Sequence, residues 1–522
     1  MDQPADKIDE VTQRRNVIAE LRGRGIDPFG SRYEPTHHAA DAIRLYEEAE
    51  RAGTHAALPD TWRVAGRLMA RRGHGKAGFG NLNDLSGKLQ LYVRLDVVGE
   101  AGYDLWKNLY LGDIVGVEGQ MFRTDKGEVS LRVKKLTLLA KAVRPPPEKW
   151  HGLQDIELRY RNRHLDLIAN PEARQVFLNR VKMMKVLREY LDSRGFLEVE
   201  TPVLHAVYGG AAARPFVTRH NALGMDFYLR IALELHLKRL IVGGLEKVYE
   251  VNRVFRNEGV SVRHNPEFTM LEVYWAYADY LDMMQLVEEV VSAMAMALHG
   301  KLQIVYQGQQ LDLTPPWKRV SFRDAILRET GVDILELTDL EKARQAARSL
   351  GIEEKDLVSH GRILDAIFSE YVNPKLIQPT IVFNYPIEMS PLAKRIAEEP
   401  SLTYRFEAFV AGMEIANAFS ELNDPDDQRQ RFLTQLEERK AGDDEAHPLD
   451  EEFLAALEAG MPPTGGIGVG IDRLCMVLND AASIRDVILF PHMRPAAREG
   501  GPPTGSQSFQ SPEDDPGVGV TL

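Results

Sequence analysis

One cysteine, Cys475, stands in 522 residues. That excludes an intramolecular disulfide and any multi-cysteine zinc site. Cys475 falls in the apolar run Leu474-Cys475-Met476-Val477-Leu478 and reads as a small core residue. No stretch approaches the roughly 18 apolar residues of a membrane span. The charged opening Met1-Asp2-Gln3-Pro4-Ala5-Asp6 lacks the apolar centre of a signal peptide. A cytoplasmic chain with no membrane partner is expected. Positive charge is also short, with a net of −13, but its distribution matters more than its sum. Residues 61–145 carry 15 Lys and Arg against 8 Asp and Glu, an excess of seven that leaves −20 for the rest. A basic module on an acidic body suits RNA bound at one defined end. No internal repeat is evident.

With 44% hydrophobic and 27% charged residues the chain reads as globular, and its length implies two or three domains. Residues 1–60 read as an amphipathic helical extension. Residues 61–145 alternate short strands (Trp62–Ala70, Gly87–Val98, Ile114–Phe122, Val129–Leu139) with glycines and charges, and Tyr103–Tyr110 reads as a short helix. That succession fits a five-stranded OB-type barrel, a common binder of single-stranded nucleic acid. Phe79 and Gln90 are its candidate stacking and base-edge residues. Pro145-Pro146-Pro147 is a stiff linker to a domain over 146–496. There Phe177, Val181, Met184, Leu187 and Leu191 mark an amphipathic helix that ends at Ser193-Arg194-Gly195. Residues 300–375 read as an αβ insertion in which no chemistry is legible. The Gly-, Pro- and Ser-rich residues 497–522 read as a disordered tail.

Three segments carry chemistry. Val248–Phe255 and Phe268–Trp275 read as two strands of an antiparallel hairpin joined by the charged loop Arg256-Asn257-Glu258-Gly259-Val260-Ser261-Val262-Arg263-His264-Asn265-Pro266-Glu267. Alternation puts Glu250, Asn252 and Arg256 on one face, and Phe268, Met270, Glu272 and Tyr274 on one face of the partner. Such a face suits a binding floor better than a core, and the loop suits polyphosphate. In Pro463–Arg473, glycines at 465, 466, 468 and 470 would weaken an ordinary strand, so a close approach of backbone or ligand is expected. The Gly-Lys-Ser/Thr ending of a Walker A loop is missing. In Arg405–Glu421, a tight turn at Ala411-Gly412 sets Glu414 opposite Phe409. Glu407 then becomes its diagonal neighbour, about 7–8 Å away between α-carbons. Carboxylates so placed can share divalent cations that also bind phosphate oxygens.

The hairpin with its Arg263-His264-Asn265-Pro266-Glu267-Phe268 ending resembles motif 2 of the class II aminoacyl-tRNA synthetases, in the form of the lysyl-tRNA synthetase family. The helix through Phe177–Leu191, with the following strand to Pro202, resembles motif 1 and the glycine-rich Pro463–Arg473 resembles motif 3; the likeness runs from about residue 60 to Arg494. It implies an α+β chain: an N-terminal OB-type β-barrel that binds the anticodon, then a catalytic domain on an antiparallel sheet with flanking helices. It further implies a lysine–tRNA ligase using L-lysine, ATP, tRNA(Lys) and several magnesium ions, acting as a homodimer. Residue by residue, Arg256 and Arg473 are the catalytic arginines, and Glu258, His264, Asn265 and Phe268 surround ATP. Glu407 and Glu414 match metal ligands that also contact ATP. Gly210, Glu234, Arg256, Glu272, Tyr274, Asn417, Phe419, Glu421 and Gly468 match the lysine pocket, with Glu421 and Tyr274 at the ε-ammonium and Glu234 at the α-ammonium. Arg72, Phe79, Gln90 and Glu128 match anticodon contacts. Leu233 stands where many relatives are expected to carry proline, and Ala416 and Ala418 where others have glycine, which would narrow the pocket by two methyl groups. The competing readings are an aspartyl- or asparaginyl-type synthetase, disfavoured by the loop and the acidic pocket; a paralogue that lysylates protein and lacks the barrel; and a non-catalytic RNA-binding paralogue.

Overall fold

The computed structural model describes residues 9–147, 153–353, 359–440 and 448–494, which form two compact units divided at residue 154. The tail 497–522 lies outside the described residues. Among them, no helix is long and apolar enough to cross a membrane.

The first unit is a closed five-stranded barrel in the order Trp62–His74, Ala77–Asn83, Lys88–Arg94, Val129–Ala140, Ile114–Arg123. Alternating Leu89, Leu91, Val93, Val115, Val117 and Leu131 fill it. Two sequence expectations fail here. The strand expected to reach Val98 stops at Arg94, and a helix runs over Leu95–Lys107, earlier than expected. Ala77–Asn83, which reads only as glycine-rich, is a full strand. The cause is Trp106 on that helix. A Cβ on Gly78 would lie 2.7 Å from its indole nitrogen, and one on Gly80 would lie 2.6 Å from its ring. These glycines therefore mark a packed indole, not a loop. The helices Glu10–Gly23 and Ala39–Ala52 bury Leu21, Ala39, Ala42 and Tyr46 in the same core, so the N-terminal extension is part of the barrel unit.

The second unit is built on an eight-stranded sheet in the order Lys318–Ser321, Thr380–Phe383, Arg405–Val410, Met413–Ser420, Thr464–Gly470, Glu267–Ala276, Lys247–Phe255, Leu197–Glu198. The pairing is antiparallel throughout except at the two edges. Period-two alternation divides its faces. Leu271, Val273, Ile415, Ile467 and Val469 meet the helices Pro171–Ser193 and Tyr280–His299 in a dry core. Glu272, Tyr274, Asn417, Phe419, Gly466 and Gly468 lie on the opposite face. Ala416 and Ala418 both pack in the helical core; Ala416 also lines the cavity, whereas Ala418 does not and leaves the pocket unnarrowed.

The helix Pro171–Ser193 starts with proline in its first turn, and Gly195 just beyond it has a φ of 79°. Its core residues are Phe177, Met183, Leu187 and Leu191, whereas Val181 is 69% exposed. The stripe read through Val181 is wrong because Met183, one turn before Leu187, takes that place in the core. The insertion is less separate than its sequence suggests, since Lys318–Ser321 forms one edge of the main sheet.

Glu250 also departs from expectation. It is 1% exposed and accepts from Arg230 at 2.8 Å and from the Thr201 hydroxyl at 2.7 Å. It is a structural counter-ion, not part of a binding floor. Removing one partner of a buried ion pair leaves the other charge unpaired. Glu250→Ala should therefore lower the unfolding free energy of the second unit by about 3–5 kcal/mol, measured by urea denaturation.

Candidate active site

A cavity of about 500 Å³ opens on the polar face of the large sheet. Hairpin pairing runs from Lys247↔Trp275 to Phe255↔Glu267 in unbroken register, delivering Arg256 and the following loop to the cavity rim. Glu258, His264, Asn265, Phe268, Glu272 and Tyr274 line it from the hairpin. Gly468 and Arg473 come from the glycine-rich strand and its helix, and Glu414, Asn417 and Phe419 from the neighbouring strand. Gly210 and Glu234 close one side. Of the residues expected at this site, Glu407 and Glu421 lie behind the lining.

One end of the cavity is basic. The Arg256 guanidinium sits 5.1 Å from the centre of the Phe268 ring, a cation–π contact, and its Nε donates to Ile231 O at 3.3 Å. Arg473 donates to the backbone oxygen of Glu414 at 2.8 Å, and its Nη2 lies 3.3 Å from His264 Nε2. Arginine only donates, so that contact requires His264 to carry its proton on Nδ1. Burial, and then the neighbouring Arg473, hold the His264 pKa below its ordinary value. A neutral imidazole and two guanidiniums beside a glycine-lined wall could hold an anion, with Arg473 also paired to the Glu414 carboxylate at 3.2 Å. Asn265 is buried, donates to Glu267 O at 2.6 Å and accepts from the amide of His492.

The other end is acidic. Glu272, 2% exposed, accepts from the Tyr274 hydroxyl at 3.1 Å and from the amide of Leu233 at 2.8 Å. A proline at 233 could not supply that second bond. Burial, then the charge of Glu234, push the Glu272 pKa up to about 7. Glu421, 1% exposed, is pushed up to about 8 by burial.

The glycines follow the same logic. A Cβ on Gly466 would lie 2.0 Å from Glu421 Oε1 and 2.6 Å from the Tyr274 ring; one on Gly468 would meet Met270 at 2.9 Å, and one on Gly465 the Asp279 oxygen at 2.7 Å. Gly470 has nothing nearer than 3.8 Å. Gly210, with φ of 87°, needs glycine for its backbone, and a Cβ there would lie 3.0 Å from the Ala232 Cβ and 3.2 Å from the Glu234 Cβ.

Glu414 pairs with Phe409 as the turn geometry predicts, but a bulge between Ala408 and Phe409 puts Glu407 opposite Asn417. The carboxylate of Glu407 accepts from Arg405 at 2.6 Å and from the Tyr385 hydroxyl at 2.8 Å. Burial raises its pKa to about 7; Arg405 opposes that rise and the charge of Glu414 adds to it. A cation between the two carboxylates would relieve this repulsion. No cluster of three or more His, Cys, Asp or Glu suited to a metal occurs among the described residues. Two carboxylates, with other positions left to phosphate and water, suit magnesium.

Several residues at the site escape a sequence reading. Arg405 binds Glu407 and, at 3.1 Å, Asn417, linking the two ends of the cavity. Its only signal is its place two residues before Glu407. Gly361, Arg362 and Asp365 of the insertion helix His360–Tyr371 also line the cavity, although nothing in that segment signals chemistry. Lys238 is the third.

In the barrel unit, Arg72 stands directly across from Phe79 and is exposed. The Phe79 ring stacks on Tyr92, with centres 4.7 Å apart. Gln90 donates to Glu128 at 2.7 Å and accepts from Ser130 at 2.9 Å. All four expected residues thus belong to strands, or the turn beside them, on neighbouring parts of the barrel.

Residues 155–494 match the class II tRNA synthetases (D, K and N), and residues 62–139 match the OB-fold nucleic acid binding domain. Lysine–tRNA ligase of Moorella thermoacetica is 58% identical over 93% of this chain and 98% of its own length. The chain belongs to the class II lysine–tRNA ligase family. The lysine–tRNA ligases of Bacillus subtilis and Staphylococcus aureus are 53% and 54% identical, each over 93% of this chain and over 97% and 98% of their own lengths. Family membership covers both units, so the two-ended cavity and the barrel are parts of one ATP-using enzyme architecture.

Overpacking costs about 1–3 kcal/mol where neighbours cannot yield. Gly466→Ala should lose that much stability by urea denaturation, while Gly470→Ala should stay within about 0.5 kcal/mol of the parent.

Proposed function

We propose that this chain ligates L-lysine to tRNA(Lys) in two steps. A lysine carboxylate oxygen attacks the α-phosphorus of ATP, the bond to the β-phosphate bridging oxygen breaks, and pyrophosphate leaves. A ribose hydroxyl at the 3′ end of the tRNA then attacks the adenylate carbonyl carbon, and AMP leaves. The nucleophile of the first step is already anionic, so positioning and charge stabilisation carry the rate.

The observation that supports this best is the polarity of the cavity, with guanidiniums at one end and three buried carboxylates at the other. Arg256 would bridge the lysine carboxylate and the α-phosphate, which suits a planar guanidinium. Arg473 and neutral His264 would meet the outer phosphates, Glu258 and Asn265 would orient the nucleotide, and Phe268 would stack on adenine. Glu407 and Glu414 would hold magnesium, which neutralises phosphate charge when bound. Glu421 and Tyr274 would receive the ε-ammonium and Glu234 the α-ammonium. Glu272, Asn417, Phe419, Gly210 and Gly468 would shape the pocket around the chain. An aspartate substrate would need a free cation at the acidic end, and the lysine there is already paired with carboxylates.

The barrel would read the anticodon, with Phe79 stacking a base, Gln90 and Glu128 meeting a base edge, and Arg72 beside them. A homodimer would use the Leu197–Glu198 edge of the large sheet, where Leu197 is exposed, together with the exposed apolar side chains Val181 of the helix Pro171–Ser193 and Leu204 and Val217 of a separate three-stranded sheet. The protein would act in the cytoplasm, where the tRNA it charges feeds translation.

Arg256→Ala should cut lysine-dependent ATP–pyrophosphate exchange several hundredfold, about 3–4 kcal/mol, with the fold intact by circular dichroism. Near-normal exchange would defeat the assignment, and a non-catalytic RNA-binding protein would show none in the parent. Phe79→Ala should leave exchange intact and weaken charging of tRNA(Lys) by about five- to a hundredfold, the worth of one base–aromatic stack. Exchange and charging measured on the same preparation check this.

A further inference from the structure

Lys238 lies one turn after Glu234 on the helix Glu234–Val242, and its side chain is completely buried. It donates to Glu234 Oε1 at 2.5 Å and forms an ion pair with Glu421. The Phe453 ring covers it from the helix Glu451–Glu458, 5.9 Å away. Desolvating an ammonium costs several kcal/mol. The partners that offset this are two of the three carboxylates at the acidic end.

The charges around it can be counted. Glu234, Glu272 and Glu421 are 5%, 2% and 1% exposed. Against them stands one ammonium, Lys238. Tyr274 and the Leu233 amide give Glu272 hydrogen bonds without charge. Arg405 acts on Glu234 from a distance but is bonded to Glu407 and Asn417. Arg256 acts on Glu272 but faces the phosphate end. With all three carboxylates ionised, the acidic end is therefore two positive charges short. Glu421 Oε1 accepts no hydrogen bond and reaches across Gly466, which lines the cavity. An acceptor is thus already turned toward an incoming donor.

We propose that Lys238 is a specificity-determining residue: a resident ammonium that fixes the shortage of the three-carboxylate pocket at two, the number of ammonium groups on lysine. The proposal rests on the lysine reading above. It makes lysine binding proton-linked. Burial raises the pKa of all three carboxylates, and Lys238 opposes that rise at Glu234 and Glu421. An empty pocket near neutral pH holds protons that arriving ammonium groups displace, so affinity for lysine rises with pH until the carboxylates are ionised. Without Lys238 the carboxylates hold protons to higher pH, so the affinity deficit is largest at low pH and closes as pH rises.

The test compares Lys238→Met, Glu421→Gln and the parent in lysine-dependent pyrophosphate exchange from pH 6.5 to 8.0. For Lys238→Met, the KM for lysine should rise roughly tenfold or more at pH 6.5 and the ratio to the parent should shrink at least about threefold by pH 8.0, since each pKa unit is a factor of about ten. Its kcat and its KM for ATP should change less than about threefold. A pH-independent ratio would mean that Lys238 only fills space, and would overturn the proposal. If Glu421→Gln raises the KM for lysine and Lys238→Met does not, the proposal falls and the lysine site stands. If neither raises it, both fall. Should Lys238→Met fail to fold, calorimetry of lysine binding to the parent in two buffers of different ionisation enthalpy decides. Release of at least about half a proton at pH 7, vanishing toward pH 9, is expected from the linkage; no release would overturn the proposal.

Discussion

Asp472 is the point on which the site depends. Buried to 2% exposure, it accepts from Arg180 at 2.5 Å and from the amide of Thr269 at 2.7 Å. Arg180 also reaches Thr269 Oγ1 and the oxygen of Val487. One carboxylate therefore ties the helix Pro171–Ser193, the hairpin and the helix after the glycine strand, segments about 90 to 300 residues apart in sequence. Arg473 is the next residue after Asp472, so its reach into the cavity is set by a bond its own side chain does not make. In the role proposed for Arg473 the guanidinium would need that anchoring, because electrostatic stabilisation works only when the charge is in place before it is needed.

The sheet explains how such polarity is tolerated. Its helix-covered face is apolar and takes no part in chemistry, whereas the opposite face is lined with groups that would be costly to bury alone. Each is met by another: Glu250 by Arg230, Glu407 by Arg405 and Tyr385, Glu272 by Tyr274 and a backbone amide. The pairing is incomplete at the two ends of the cavity. Cations stand in excess at one and carboxylates at the other, so the field along the cavity opposes that of a substrate with phosphates at one end and ammonium groups at the other.

Much of this was legible in the sequence. The hairpin and its loop are local, and residues adjacent in sequence stay adjacent at the rim. The glycines of 465–468 announced close approach correctly, although only the structure reveals that Glu421, Asp279 and Met270 make it. What sequence could not supply came from distant partners. A lysine four residues after a glutamate reads as an exposed helix pair, and only the enclosure by Glu421 and Phe453 makes Lys238 a buried one. Gly78 and Gly80 read only as part of a glycine-rich segment until Trp106 is placed against them. The bulge that moves Glu407 from Ala416 to Asn417 depends on how two strands settle, and Val181 and Met183 exchange burial because of what the helix packs upon.

Gln90 carries a consequence of a different kind. Side-chain amides ordinarily rotate to suit whatever they meet, because their oxygen and nitrogen ends are nearly the same size. Here the hydroxyl of Ser130 claims the oxygen and the carboxylate of Glu128 claims the nitrogen. The amide is locked in one orientation before any nucleotide arrives. In the proposed role, a base presenting the complementary order of donors and acceptors would meet a finished surface and lose little freedom on docking. A base with the reverse order cannot persuade the amide to flip without severing two bonds inside the barrel. In the anticodon role proposed for it, discrimination at that position would originate in the stiffness of the amide, a property that no one of the three residues has by itself.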